Sequence, residues 1–549
     1  MIYSGTIVSK NGDSVPVFTD GKPMHSKYRP TGESSGLSEE CRDGFIVCAG
    51  IGGAFHIETL LSSLHGDFFV LAVEADRESL DFSLSIPRVR RIFDSCNADC
   101  CTVDELESKL SELYLPVAYP SFSFVAHRAW ESHVPETCRR IRDFLESKLA
   151  EFSSDFSVQS HFGKIWQRNI IENAIHSGRF LLPPVQDGKT AAVIAAGPSL
   201  DVSIGEIMAR RDSFVVFSTD TAYGALVSRG IEPEYVVSID GQFVSSSHFL
   251  PAGDAVGKST AFVFDMCANP TAVRMLRENG FTVLLSKSRH PLCSFIPDDV
   301  LPVLESGSGT VTIAACDLAR LLGAKTIRVF GADFAYSGGK PYCRGTYLDA
   351  GFMKSATRLS NPETAHSSLM FRTELESCEG TSVFGDALEN PKSSSVLCGY
   401  RKTLLEWAER HGYSLEGHAF VNMRNSPDLK FSGKTSDSGE IESPEHNGCY
   451  VKSRGMDEGS SDGPYPFISP SESNYGIKIA QWMASISPIF KESAQLVQAS
   501  VLKENTDLYP FFPYAAWLRK SLGNNKTSFF ELLKLAYTQL SRYTDSYEK

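Results

Sequence analysis

The sequence lacks the features that would assign it at once to a membrane, secreted or nucleic-acid-binding class. No run of about 18 apolar residues occurs, so we expect no membrane-spanning helix. The opening stretch MIYSGTIVSKNGDS has no apolar core of the kind that a secretory signal needs. The formal net charge is −13 and no basic face stands out, which argues against nucleic acid as a partner. These absences favour a cytoplasmic protein.

Metal-binding sequence patterns are missing as well. The 13 cysteines are an odd number and are scattered, several of them in apolar runs where a reduced core thiol is expected. Cys96, Cys100 and Cys101 are crowded, but they have no C-x-x-C spacing and no partner histidines. No Asp-x-Asp pair occurs, although many nucleotide-sugar transferases bind a divalent ion with one. We therefore predict no bound metal and no cofactor, which favours a metal-independent site or some other chemistry.

The most informative stretch is 190–241, which follows the pattern strand, glycine turn, helix, strand, helix, strand. Ala191–Ala195 is apolar without polar alternation, which is typical of a parallel strand buried on both faces. The turn Gly197-Pro198-Ser199 ends this strand, and its glycine would let a ligand approach the backbone. Ser199 or Asp201 is expected to cap the next helix, whose free N–H groups favour an anion.

Polar residues also follow the next two apolar runs. Phe214–Phe217 ends in Ser218–Thr221, and Tyr235–Ile239 ends in Asp240-Gly241. The carboxyl ends of parallel strands meet at one edge of a sheet, where open α/β folds bind ligands. Three polar strand ends in one unit therefore indicate a nucleotide or sugar-nucleotide site. The alternative is an ordinary α/β domain whose polar strand ends bind nothing.

Two later segments carry groups suited to binding a phosphate. Gly307-Ser308-Gly309-Thr310 precedes a predicted helix and offers backbone N–H groups and hydroxyls, although no Gly-Lys-Ser/Thr sequence makes it a P-loop. Tyr336 and Tyr342 lie in a glycine-containing loop after Asp333. Phenol O–H groups there could stabilise a departing phosphate where no metal is present. An ordinary helix start and two loop-anchoring tyrosines are the alternatives.

A second strand-to-glycine turn lies near the N-terminus, at Phe45–Gly53. Glu74 follows about twenty positions after the turn, where dinucleotide-binding folds hold a ribose. The third glycine of the fingerprint is missing, because Phe55 stands in its place. We therefore expect a Rossmann-like domain that is structural or binds weakly, rather than a working dinucleotide site.

The whole chain is predicted to be an α/β protein of several parts, and an apolar fraction of 42% is ample for their cores. A strongly helical stretch separates the two α/β regions, and a segment rich in Ser, Gly, Asp, Glu and Pro follows the second. The predicted parts are a Rossmann-like domain at 1–134, a helical connector at 135–185, a central α/β domain at 186–433, a flexible polar linker at 434–466 and a helical domain at 467–549.

Taken together and in this order, the motifs resemble those of the motility accessory factor (Maf) flagellin glycosyltransferases, whose central domain carries the MptE-like domain. The resemblance covers most of residues 20–415. The pieces that carry it are Ala195–Asp201, Ser218–Ala222, Gly230–Pro233, Ser238–Asp240, Gly307–Val311 and Gly331–Ala335, with His25–Pro30 and Gly50–Gly53 nearer the N-terminus.

The same central pieces are similar to bacterial lipooligosaccharide sialyltransferases, which use a CMP-activated sugar without a metal. This likeness implies a sialyltransferase-like variant of the GT-A fold in which Tyr336 and Tyr342 stabilise the leaving phosphate. Asp220 stands where those enzymes have asparagine, and their histidine base has no clear match, so His366 is assigned that role with Asp386 or Glu389 as alternatives. The residues implied to bind the donor nucleotide are Gly197, Pro198, Ser199, Asp220, Thr221, Asp240, Gly307, Ser308, Gly309, Thr310 and Asp333.

The resemblance implies transfer of a nonulosonic acid, of pseudaminic or legionaminic type, from its CMP donor to Ser or Thr of flagellin, in support of flagellum assembly and motility. The outer domains would then recognise flagellin. Two other functions stay open. Archaeal pterin diphosphokinases share the MptE-like domain and would need ATP and Mg²⁺, and a non-catalytic flagellin chaperone could use a degenerate transferase fold.

Overall fold

The computed structural model divides the chain into two compact units, Met1–Gln167 with Ala480–Lys549, and Arg168–Ile479. The predicted linker at 434–466, Cys96 and Ser308 lie outside the described residues, and the five predicted domain boundaries stay predictions. The described residues are 1–32, 43–95, 97–119, 121–175, 182–251, 258–298, 300–307, 309–378, 380, 382–423, 475–490, 506–523 and 527–544.

The first unit contains an antiparallel hairpin followed by a four-stranded parallel sheet. The hairpin strands are β1 (Tyr3–Val8) and β2 (Ser14–Phe18). The sheet strands are β3 (Phe45–Ala49), β4 (Phe69–Glu74), β5 (Ala98–Thr102) and β6 (Phe122–Ala126). Their order is β5-β4-β3-β6, all parallel, so the order reverses between β3 and β6 as in a doubly wound fold.

Amphipathic helices connect these strands. In the helix Leu106–Leu113, for example, the buried residues are three leucines at spacings of four and three residues: Leu106, Leu110 and Leu113. The sixth is a helix of 40 residues that lies within the segment 135–185, whose role as a connector stays a prediction. The helices are α1 (Phe55–Ser63), α2 (Arg77–Leu84), α3 (Pro87–Phe93), α4 (Leu106–Leu113), α5 (Arg128–His133) and α6 (Pro135–Ala174).

The second unit is built on an eight-stranded sheet of order β11-β10-β9-β8-β7-β12-β16-β15. The first six strands in this order are parallel, and the last two are antiparallel. Every residue of β8, β9 and β10 is buried, which explains why their sequences are apolar without alternation. The strands are β7 (Thr190–Ile194), β8 (Phe214–Thr219), β9 (Tyr235–Ser238), β10 (Ala261–Asp265), β11 (Thr282–Ser286), β12 (Thr326–Phe330), the short pair β13 (Glu376–Ser377) and β14 (Lys392–Ser393), β15 (Tyr413–Glu416) and β16 (Ala419–Asn422).

Most helices of this unit begin at a polar capping residue. The side chains of Thr219, Asn269, Thr346, Asn361 and Ser394 each accept a hydrogen bond from a backbone N–H of the first turn that follows. The helices are α7 (Leu200–Ala209), α8 (Asp220–Val227), α9 (Pro270–Glu278), α10 (Val311–Leu321), α11 (Tyr347–Ser355), α12 (Pro362–Met370) and α13 (Ser395–Arg410).

The C-terminal region is helical, as predicted. Its helices are α14 (Tyr475–Ile486), α15 (Phe512–Leu522) and α16 (Phe529–Thr544). Within the first unit, Arg519 Nε donates to the carbonyl of Val117 at 2.7 Å, and Phe529 N donates to Asp67 at 2.8 Å. The last two helices therefore contact loops of the N-terminal part of this unit. Among the described residues, no helix is both long and apolar enough to cross a membrane.

The predicted α/β class, with a Rossmann-like N-terminal sheet and a C-terminal helical region, is thus confirmed.

Candidate active site

The strand order of the central sheet reverses between β7 and β12, which brings two predicted motifs together. Ala195 N donates to the carbonyl of Phe330 at 2.8 Å, and Gly197 N donates to that of Gly331 at 2.7 Å. The turn after β7 therefore runs beside the turn after β12. This is the position where open α/β sheets bind their ligands.

A buried carboxylate closes this pair of turns. Ser199 donates to Asp333 through both its hydroxyl and its backbone N–H, the latter at 2.8 Å. Burial raises the pKa of Asp333 to about 6, against the lowering effect of the two bonds from Ser199. Both carboxylate oxygens are thus used within the protein. The predicted nucleotide contacts of Ser199 and Asp333 stay predictions, and closing the turn is a second role for both.

Gly197 is required by packing between the two turns. A Cβ there would lie 2.5 Å from the Gly331 carbonyl oxygen and 2.7 Å from Asp333 Oδ2. The space that the sequence assigned to an approaching ligand is therefore filled, on this side, by the protein's own atoms.

The predicted cap of α7 is wrong. Ser199 occupies the N-cap position, but its side chain makes no capping bond because its hydroxyl is on Asp333. Asp201 does not cap the helix either, since its carboxylate bonds Arg229 at 2.6 Å and the backbone N–H of Arg344.

Two further carboxylates meet at the ends of β8 and β9. Asp220 is 2% exposed and accepts hydrogen bonds from Thr221 N at 2.6 Å and from Ser238 Oγ at 2.7 Å. The pKa of Asp240 is raised by burial and then by the charge of Asp220. The structure therefore brings together Asp220, Thr221 and Asp240, which the sequence predicted to share a site.

His248 faces these carboxylates and was not singled out from the sequence. It lies in the 3₁₀ turn Phe243–Phe249, and its Nδ1 is buried without a hydrogen-bond partner among the described residues. Burial lowers its pKa, whereas Asp220 and Asp240 raise it. Its ring packs edge-on against Tyr347, with centroids 4.3 Å apart. The sequence around it, Phe243–Leu250, matches no catalytic or metal-binding motif, so no local signal pointed to this histidine.

The two predicted tyrosines belong to a larger group. Burial raises the pKa of Tyr342 to about 12, and Tyr336, Tyr347, Asp220 and Tyr400 add to the effect in that order. The hydroxyls are therefore protonated at neutral pH and act as hydrogen-bond donors. Tyr347 and Tyr400 are members of this group that the sequence analysis missed.

Gly309, from the predicted motif Gly307–Thr310, lies against the same group. A Cβ at Gly309, whose φ is +75°, would come within 3.3 Å of the Tyr400 hydroxyl. Thr310 is the N-cap of α10 and makes no side-chain capping bond. The first N–H groups of this helix of 11 residues have no side-chain cap, and the positive end of the helix dipole favours an anion there.

The three residues predicted as candidates for the general base each contact other residues of the protein. His366 is on α12, where its Nε2 is 3.8 Å from Asp349 Oδ1 and its ring packs on Phe352. Asp386 accepts hydrogen bonds from the hydroxyls of Ser203 and Ser382. The backbone N–H of Glu389 bonds Ser337 Oγ, in the loop that carries the two predicted tyrosines.

The end of α6 holds the loops that follow β9 and β10. Asn169 Nδ2 donates to the carbonyls of Gly241 at 3.0 Å and Cys267 at 2.9 Å, and Asn173 Nδ2 donates to those of Met266 and Ala268. The loop that begins at Asp240 is thereby fixed by buried amides.

A family model described as 6-hydroxymethylpterin diphosphokinase MptE-like matches residues 166–339. The match includes the strand ends and Tyr336, and it covers less than half of the chain.

Proteins of Treponema pallidum (strain Nichols), all uncharacterised, are similar to this chain. One is 30% identical over 145 residues, which make up 26% of this chain and 69% of that protein. The chain belongs to the same family as this protein. A second relative is 44% identical over 112 residues, which make up 20% of this chain and 40% of that protein. A third is 27% identical over 212 residues, which make up 36% of this chain and 35% of that protein. The chain therefore spans only a minor part of the second and third relatives.

The MAf glycosyltransferase from Magnetospirillum magneticum AMB-1 has a similar structure. The TM-score is 0.53, with 13% sequence identity, and the likeness covers 99% of this chain and 92% of that chain. At this identity the likeness establishes a shared fold. The fold implied by the Maf resemblance is thus confirmed, and the likeness to sialyltransferases stays a prediction.

Proposed function

We propose that this chain is a glycosyltransferase. It transfers a nonulosonic acid of pseudaminic or legionaminic type from a CMP donor to Ser or Thr hydroxyls of flagellin, in the cytoplasm before export. The proposal is carried by one observation, that Tyr342 lies among Tyr336, Tyr347, Tyr400 and Asp220 at the carboxyl edge of the central sheet. The fold shared with the MAf glycosyltransferase and the Maf-like motifs support it.

The tyrosines and the start of α10 would act on the leaving group. As the glycosidic bond to the phosphate of CMP breaks, negative charge develops on that phosphate. Protonated phenols of Tyr336 and Tyr342 donate hydrogen bonds to it, and the uncapped N–H groups of α10 add further donors. These donors are fixed before the reaction, so no metal is required for this step.

A general base would act on the acceptor. It removes the proton from the Ser or Thr hydroxyl as the oxygen attacks the anomeric carbon in an inverting displacement. His248 and His366 are the two histidines proposed for this role. Neutral His248 has an unpaired Nδ1, and after it takes up a proton Asp220 and Asp240 would stabilise its charge.

The leaving-group role is tested with a double substitution, Tyr336→Phe with Tyr342→Phe. Transfer of sugar from CMP-pseudaminic or CMP-legionaminic acid to flagellin is followed by mass spectrometry. We expect the double variant to lose at least about 100-fold in kcat, in line with the loss of one oxyanion donor. The matched control is Tyr223→Phe, because that buried hydroxyl has no hydrogen-bond partner among the described residues. Equal rates for the double variant and the control would remove both tyrosines from the mechanism.

The base is identified by comparing His248→Gln with His366→Gln over a range of pH. Loss of the base lowers kcat by about 100-fold to 10,000-fold and removes the rise of rate with pH, while KM changes little. The other variant keeps the wild-type profile. If both variants keep it, the role passes to Asp386 or Glu389.

A pterin diphosphokinase is the second candidate function, favoured by the description of the matching family model. Asp220 and Asp240 offer neighbouring carboxylates that suit Mg²⁺ bound with a nucleotide phosphate. Asp333, a third carboxylate of the candidate site, is held by Ser199. Formation of a pterin diphosphate from 6-hydroxymethylpterin and ATP, abolished by EDTA, would establish this function in place of glycosyl transfer.

A further inference from the structure

The glycine turn after β3 is closed by the protein's own groups. The carboxylate of Glu74, fully buried, accepts hydrogen bonds from Ile51 N at 3.1 Å and from Trp130 Nε1 at 2.6 Å. A Cβ at Gly50 would lie 2.5 Å from the Trp130 ring. The acid expected to hold a ribose is therefore used inside the fold. A different group of side chains lies at the switch point between β3 and β6.

Three histidines from separate parts of the sequence meet at this switch point. His25 follows the N-terminal hairpin, His56 lies in the first turn of α1 after the glycine turn, and His127 directly follows β6. One ring nitrogen or more of each lies within 4.8 Å of those of the other two. The three residues are only 3%, 3% and 9% exposed.

Two of the three histidines offer ring nitrogens without a hydrogen-bond partner among the described residues. Both ring nitrogens of His56 and Nδ1 of His127 are buried without a hydrogen-bond partner among the described residues. Unpaired buried nitrogens are costly, and native proteins satisfy nearly all of them. His25 Nε2 accepts a hydrogen bond from Gly53 N at 3.2 Å, so His25 must exchange this bond for a bond to the ion when it acts as a ligand.

A cation beside this cluster is already paired with carboxylates. The neighbouring cation, Arg88, pairs with Glu58 and Asp13 and lies over the Phe55 ring. Its charge is therefore balanced before any ion binds.

We propose that His25, His56 and His127 bind a zinc ion that ties the N-terminal segment to the parallel sheet. Imidazole nitrogens are preferred zinc ligands, and a tetrahedral ion with Zn–N of about 2.1 Å needs them about 3.4 Å apart. Small rotations of the rings bring a set within 4.8 Å to that spacing. A water molecule or a small anion completes the coordination.

The first test measures the metal in the untagged full chain, so that no affinity tag contributes histidines. We expect the zinc content of the purified chain, measured by elemental mass spectrometry, to be about one ion per chain. Chelation lowers the Tm, and added zinc restores it. Cobalt(II) added to the stripped protein gives the visible absorption of a four-coordinate site. A metal-free chain whose Tm responds to neither chelator nor zinc, and which gives no cobalt absorption, would overturn the proposal.

Single substitutions then locate the ion. His56→Gln and His127→Gln are expected to weaken zinc binding at least 10-fold and to remove the zinc-dependent rise in Tm. The control is His290→Gln in the second unit, a buried histidine whose Nε2 also lacks a partner among the described residues. Zinc binding unchanged in all three variants would overturn the assignment. If the cluster variants do not fold, the zinc content, Tm response and cobalt spectrum of the wild-type chain decide.

Discussion

At the scale of the residue, burial shifts the pKa values of several groups of the candidate site. Asp333 holds the turn after β7 although its carboxylate is almost fully removed from water. Raising its pKa from about 3.9 to about 6 costs the ionised folded state about 3 kcal/mol at neutral pH. This is a large fraction of the stability of a domain, so the turn is costly to maintain.

Asp333→Asn tests this cost through its pH dependence. The folded state holds the Asp333 proton more tightly than the unfolded state does, so its contribution to stability is fully present below about pH 4 and is lost as the pH rises through about 6. The uncharged variant has no such loss. We therefore expect the Tm of the variant, relative to wild type, to increase between about pH 4 and pH 7.5. A Tm difference that stays constant over this range would contradict the assignment.

At the scale of the element, the sequence predicted the strands of the central sheet well because continuous apolar runs mark buried parallel strands. Both β8 and β9 begin where the predicted apolar runs begin, at Phe214 and Tyr235. The antiparallel strands β15 and β16 were missed, because each has only four residues and is too short to show a clear alternation. His248 was missed for a different reason, since only the folding of its loop over the strand ends gives it carboxylate neighbours.

Gly197→Ala tests the contact between the turns after β7 and β12. The new methyl group would meet the Gly331 carbonyl oxygen, which belongs to a fixed backbone and cannot move aside. We expect a loss of about 1–3 kcal/mol in the free energy of unfolding, measured in urea. The matched control is Gly205→Ala on α7, where no atom lies within 4 Å and a gain of about 0.5–1 kcal/mol is expected. Equal effects of the two substitutions would show that the turns are not in close contact.

At the scale of the whole molecule, the sequence indicated the helical C-terminal region but not what it packs against. The structure groups Ala480–Lys549 with the N-terminal sheet. Arg519 donates a hydrogen bond to the carbonyl of Val117, 402 positions away in the sequence. Gln167 donates to the carbonyl of Pro510, 343 positions away. Periodicity reports only local conformation, so it cannot reveal contacts between such distant residues. For the same reason the sequence could not assemble His25, His56 and His127.

Gly163→Ala tests the packing of α6 on the C-terminal helices. A Cβ at Gly163 would overlap the carbonyl group of Pro513, so the two segments must separate to admit it. We expect a lower Tm and faster proteolytic release of the segment after residue 505, with a loss of about 1–3 kcal/mol. Ser153→Ala, at an exposed position of the same helix, should change the free energy of unfolding by less than about 0.5 kcal/mol. A Gly163→Ala variant as stable as that control would contradict this packing.

The most direct test of the proposed function is the intact mass of flagellin. Flagellin is co-expressed with a CMP-nonulosonate biosynthetic pathway, with and without this chain. We expect a mass increase by whole nonulosonic acid units only when the chain is present. No increase, with flagellin still bound to the chain, would contradict the transferase and favour a non-catalytic flagellin-binding factor. No increase and no binding would contradict the flagellin assignment itself.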